Sequence, residues 1–198
     1  MNRPESANNL KPLSRLQRLS RLYGKLIAGT LLLVLLSVLV LVKVTPFEYY
    51  ENEALGFRMK YPAYWRVQEY PQGVQAIVFV SPPVNDTDRF FENVNVTMVE
   101  VPDKIRTIRA FSRKAIRQVT GTFEGMIEIV QSRSFPVAGR SGHLFIFVGE
   151  KATEPVQYMH VWVLRGQWAY VITYTALEKD FENYHKDVLD MIKSFQFI

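Results

Sequence analysis

The chain has 198 residues, 48% of them hydrophobic and 22% charged, which is enough apolar mass for one packed core and too little length for a multidomain machine. It contains no cysteine, so disulfides, thiolate metal centres, a thiol nucleophile and an acylated cysteine are all excluded. The net charge of +5 resides in the first 25 residues, where Arg3, Lys11, Arg15, Arg18, Arg21 and Lys25 oppose only Glu5; the remainder is balanced, and nucleic acid is not an expected partner.

Residues 26–42 run without a charge between Lys25 and Lys43, interrupted only by Thr30 and Ser37, and Val44 extends the run. At ~1.5 Å per residue such a helix approaches the ~30 Å of a hydrocarbon core, with the flanking lysines free to snorkel. A cleaved signal peptide is the competing reading, but the run exceeds the usual apolar region and no small-x-small site follows it. The expectation is a retained transmembrane helix over 26–44. The surplus of basic residues before it places 1–25 in the cytoplasm and the remainder outside, in a periplasm or lumen bounded by a cell inner membrane or a thylakoid membrane. Within 1–25, three Leu-x-Arg triplets put Arg15, Arg18 and Arg21 where a surface-lying helix would hold them among lipid phosphates; fixing orientation is the simpler role.

Residues 45–55 read as a tether and 56–198 as the extracytoplasmic domain. The alternation Gly56-Phe57-Arg58-Met59-Lys60-Tyr61, ended by Pro62, predicts a strand. Further strands are predicted after Trp65, over 75–80 and over 93–101, with a polar loop between the last two. Over 103–120 the period becomes helical, with Ile105, Ile108, Phe111, Ala115, Ile116 and Val119 on one side, Asp103 as N-cap and Gly121 as stop. Strands follow at 126–130, 133–137, 143–150, 157–164 and 168–176, the last two joined through Arg165-Gly166-Gln167, and a helix over 177–194 closes the chain.

The segments His143-Leu144-Phe145-Ile146-Phe147-Val148 and Ala169-Tyr170-Val171-Ile172-Thr173-Tyr174 are apolar on both faces and require cover on both sides. These features together predict an α+β fold, a central antiparallel sheet sandwiched by helices and preceded by one transmembrane helix.

The order and spacing of several segments resemble the PsbP-like family, a fold shared with Mog1. The matching pieces are Gly56-Phe57-Arg58-Met59-Lys60-Tyr61-Pro62 with Trp65, Asn93-Val94-Asn95-Val96-Thr97, and Ile108-Arg109-Ala110-Phe111. Val137-Ala138-Gly139-Arg140 and the ending from Ala169 to Phe195 complete the likeness, which spans about 56–198. The resemblance implies a non-enzymatic domain that docks on a larger membrane complex or assists its assembly, in photosynthetic organisms on photosystem II. The anchor departs from that pattern: plant members are soluble, and the cyanobacterial form resembles a lipoprotein, which a chain without cysteine cannot be.

Chemistry-bearing motifs are sparse. His143, His160 and His185 stand in no metal-ligand spacing, and a divalent metal at the two strand histidines is the one cofactor left open. Asp86, Asp88 and Glu92 lie in a loop without an EF-hand pattern, and Ser141 marks only a turn. No nucleophile elbow or phosphate loop is present, and no catalysis is expected. The most distinctive feature is Arg106, Arg109, Arg113 and Arg117, at helical spacing and flanked by Lys104 and Lys114, a stripe suited to an acidic protein surface or to lipid phosphates. The leading expectation is a membrane-anchored docking protein; the alternative is an extracytoplasmic domain that senses a ligand or a metal ion.

Overall fold

The computed structural model describes residues 46–70, 76–83, 88–124, 126–150 and 154–198, together with Tyr23, Ile27 and Thr30. Two compact units divide at Met1–Val44 and Thr45–Ile198. In the first, the three described residues are helical, and the predicted span over 26–44 otherwise lies outside the described residues. Among the described residues no helix is long and apolar enough to cross a membrane.

The second unit is α+β. Its strands are β1 (Phe47–Asn52), β2 (Phe57–Pro62), β3 (Arg66–Tyr70), β4 (Ala76–Val80), β5 (Asn93–Glu100), β6 (Ile127–Val137), β7 (Arg140–Glu150), β8 (Pro155–Arg165), β9 (Trp168–Leu177) and β10 (Gln196–Phe197). The helices are α1 (Ile108–Thr122) and α2 (Phe181–Ser194), the latter entered through a 3-10 turn at Glu178–Asp180. Seven strands form one sheet in the order β3-β4-β5-β9-β8-β7-β6, and β1-β2-β10 form a second; every pairing is antiparallel.

The doubly apolar strands divide their side chains between two cores, as alternation along a strand dictates. From β7, Leu144 and Ile146 join β2, β4, β9 and α2 in one cluster, while Phe145 and Phe147 join α1 and Trp162 in the other. The layers are therefore α1, the seven-stranded sheet, and a third layer of α2 with the small sheet. That small sheet is an addition to the predicted architecture. It includes β1, where a tether is expected: the backbone pairs residue for residue with β2, from Phe47 opposite Pro62 to Asn52 opposite Phe57.

Other boundaries move for local reasons. Asp103 does not cap the first helix. The Ile105 N–H closes a turn onto the Pro102 carbonyl at 2.8 Å, and the helix starts after Thr107, whose extended backbone lets its hydroxyl accept from Ala110 N–H at 3.2 Å. Gly121 lies inside α1 rather than stopping it. The two strands expected over 126–137 are one, β6, with a bulge between Ile129 and Gln131. Ala138 and Gly139, both at positive φ, form the tight turn between β6 and β7.

Candidate functional site: the exposed side of α1 and the cleft beside it

α1 is amphipathic. Phe111 and Ser112 are buried, and Ile108, Ala115, Ile116 and Val119 pack on the same core. Ser112 Oγ donates to the Ile108 carbonyl at 2.7 Å and accepts from the buried Trp162 indole N–H at 2.8 Å, which pins the helix to β8. At about 100° per residue, Arg109, Arg113 and Arg117 then fall away from the sheet, and all three are exposed. Arg106 is exposed too, but it stands in the turn before the helix rather than on it. Lys104 and Lys114 are exposed beside them.

Among the described residues none of these six cations makes an ion pair or a side-chain hydrogen bond. No acidic residue occurs between Asp103 and Glu124. Folding does not require this arrangement. Like charges four residues apart cost roughly 0.2–0.5 kcal/mol per pair. The first turn of α1 holds Arg109 and no acid, the reverse of what the helix dipole favours. Arg15, Arg18 and Arg21 lie outside the described residues.

On one flank of α1, where the helix leaves the sheet, a cleft of about 230 Å³ opens between α1, the end of β5, β8 and β9. Phe111, Ala115, Val119, Trp162 and Val171 give it an apolar lining; Lys114, Gln118 and Thr122 line it from the helix and Glu100 from the end of β5. Sequence reasoning did not find this cleft, because its lining comes from four separate stretches of chain.

His160 lines the cleft as well. It is half-buried among Phe147, Tyr158 and Trp162, with ring centroids 5.4 to 6.3 Å away, and its ring makes no hydrogen bond among the described residues. Burial alone pushes its pKa down to about 4, so the ring is neutral at pH 7. His143 stacks on Trp162 at 5.4 Å, and its Nε2 lies 3.0 Å from Ser132 Oγ. The fold thus brings two of the three histidines to one indole. His185 sits apart on α2, 3.1 Å from Glu182. Among the described residues no group of three or more histidine, aspartate or glutamate side chains could hold a metal ion.

Of the acidic loop, Asp86 lies outside the described residues, and Glu92 is turned inward at 1% exposure. Ser81 Oγ donates to its Oε2 at 3.1 Å, and burial raises the carboxyl pKa, with Asp88 and Asp180 adding to the effect. Ser141 is an exposed residue of β7, opposite Pro136.

Comparison with solved structures places this architecture among known folds. Cyanobacterial PsbP (CyanoP) from Synechocystis sp. PCC 6803 superposes with a TM-score of 0.55 at 15% identity, over 79% of this chain and 95% of that one. The Saccharomyces cerevisiae Ran-binding protein Mog1p gives 0.56 at 13% identity, over 78% and 96%. PA94 of Pseudomonas aeruginosa, described as a putative regulator, gives 0.53 at 11% identity, over 75% and 94%. At these identities the likeness establishes the fold alone. No curated protein matches the sequence. The PsbP family model matches residues 45–197, and the chain belongs to the PsbP family.

Proposed function

We propose that this protein is a non-enzymatic, membrane-anchored accessory or assembly protein. Its PsbP domain docks on the acidic surface of a larger membrane protein complex through Arg106, Arg109, Arg113 and Arg117. Residues 26–44 are the anchor, 1–25 are cytoplasmic, and the domain works on the periplasmic or lumenal side. The observation that carries this reading is the cluster of four exposed arginines, unpaired among the described residues: Arg109, Arg113 and Arg117 recur at mutually repelling spacing on α1, and Arg109 stands against the helix dipole in its first turn. Guanidinium groups offer planar forks to carboxylates, and a patch of one sign raises the rate of encounter with a complementary surface. The family resemblance makes photosystem II the first complex to test, and any other stoichiometric membrane complex satisfies the same reading.

The test is a mild-detergent pull-down of the full-length chain from its native membranes, beside a variant with all four arginines replaced by Glu. Recovery of a defined complex with the wild type and its loss with the variant is the expected result. Equal recovery with both proteins removes the arginines from the contact, and recovery of the wild-type protein alone removes the docking function.

A further inference from the structure

The cleft beside α1 combines three features that the docking reading does not use. Phe111, Val119, Trp162 and Val171 give it an apolar surface. Its lining includes one lysine and one glutamate, Lys114 on α1 and Glu100 at the end of β5, which are exposed and make no ion pair with each other or with any other described residue. His160 adds a hydrogen-bonding ring that no protein group satisfies among the described residues.

We propose that this cleft binds a free apolar α-amino acid, with its side chain against Trp162 and Val171, its carboxylate at Lys114 and its ammonium at Glu100. The size agrees: cavities of ~150 Å³ accept a benzene ring, and about 230 Å³ accepts a leucine or phenylalanine side chain. The charges select among amphipathic ligands. A simple carboxylate would pair with Lys114 and face Glu100 unfavourably, an amine would do the reverse, and only a zwitterion satisfies both. His160 contributes a hydrogen bond without adding a charge, which leaves that balance intact. This inference does not depend on docking at the arginines, which point away from the cleft.

The indole N–H of Trp162 reports on the site because it is fixed to Ser112 at 2.8 Å and its ring lines the cleft. The ¹⁵N-labelled full-length chain in lipid nanodiscs is titrated with L-leucine, N-acetyl-L-leucine and L-leucinamide. The expected result is a saturable shift of the Trp162 indole with L-leucine and none of the Trp65 indole. Each blocked form should bind roughly tenfold more weakly, the value of one charge-assisted hydrogen bond. Glu100→Gln should erase the discrimination against the acetylated form, and Lys114→Gln that against the amide. No saturable shift at millimolar L-leucine overturns the site. Equal binding of all three forms, or discrimination that neither substitution changes, overturns the zwitterion assignment.

Discussion

The neutral His160 ring makes the fold sensitive to acid in a way that can be calculated. An unfolded chain protonates this side chain near pH 6.5, whereas burial among Phe147, Tyr158 and Trp162 holds the folded value at about 4. Between those values the unfolded state binds more protons, so stability falls as the pH falls; above pH 6.5 the full stability is present. The gap of about 2.5 units corresponds to ~3 kcal/mol at most, against a total of about 5–15 kcal/mol for an ordinary domain. His143 is shifted down by burial as well and contributes with the same sign. The background is therefore removed by comparison with His160→Phe, which keeps a ring against the same three aromatics and cannot titrate. Urea unfolding of both full-length proteins in detergent micelles, followed by tryptophan fluorescence at pH 7 and pH 4, gives the difference directly, with the neighbouring Tyr158 common to both proteins. The variant should lose less than the wild type on acidification, by up to about 3 kcal/mol. Parallel losses in both proteins would refute the assignment of acid sensitivity to His160.

Glu92→Gln should act in the opposite pH range. Burial raises the Glu92 carboxyl, so its ionisation penalises the folded state above its folded pKa and not below its unfolded one. The amide can still accept from Ser81, and a melting temperature raised by ~2–4 °C at about pH 8, vanishing near pH 3, is expected from differential scanning calorimetry. Gly142→Ala and Gly121→Ala should have opposite signs. A methyl at Gly142 would stand 2.7 Å from the backbone oxygens of both Phe135 and Trp162, in strands that cannot part without breaking their ladders, and should cost about 3 kcal/mol in a urea titration. At Gly121, within α1, an added Cβ meets nothing within 4 Å, and alanine should stabilise by about 0.5 kcal/mol.

What could be read from the sequence follows from whether the cause is local. The arginine stripe is a matter of spacing within a single helix, and the structure leaves Arg109, Arg113 and Arg117 exposed on α1. Arg106 departs because the turn closed on Pro102 delays the helix, and both Asp103 and Thr107 carry capping chemistry that composition alone does not rank. β1 was hidden for another reason. The segment Phe47-Glu48-Tyr49-Tyr50-Glu51-Asn52 is an edge strand that leaves Tyr49 70% exposed, so pairing with β2 holds it in place without an apolar rhythm.

The cleft illustrates the intermediate case, in which the sequence contains the cause without disclosing the geometry. The alternation in Asn93-Val94-Asn95-Val96-Thr97 already says that one face of β5 is polar, and the structure places Asn95, Thr173 and His160 in one cross-strand row. α1 packs over the β7 and β8 end of that face through Phe145, Phe147 and Trp162. A helix about 10 Å across cannot also cover the length of β5 and β9; β9 gives it Ala169 and Val171 at one end, and beyond them the two strands present Thr97, Thr173 and Thr175. The cleft forms where that apolar cover ends. Its position is thus set by the polar residues of β5 and β9 as much as by the residues that line it. On this argument Thr173→Val should let α1 settle further across the sheet, narrowing the cleft and weakening the response of the Trp162 indole to L-leucine; an unchanged titration would show that the cleft owes its position to the Ser112–Trp162 contact alone.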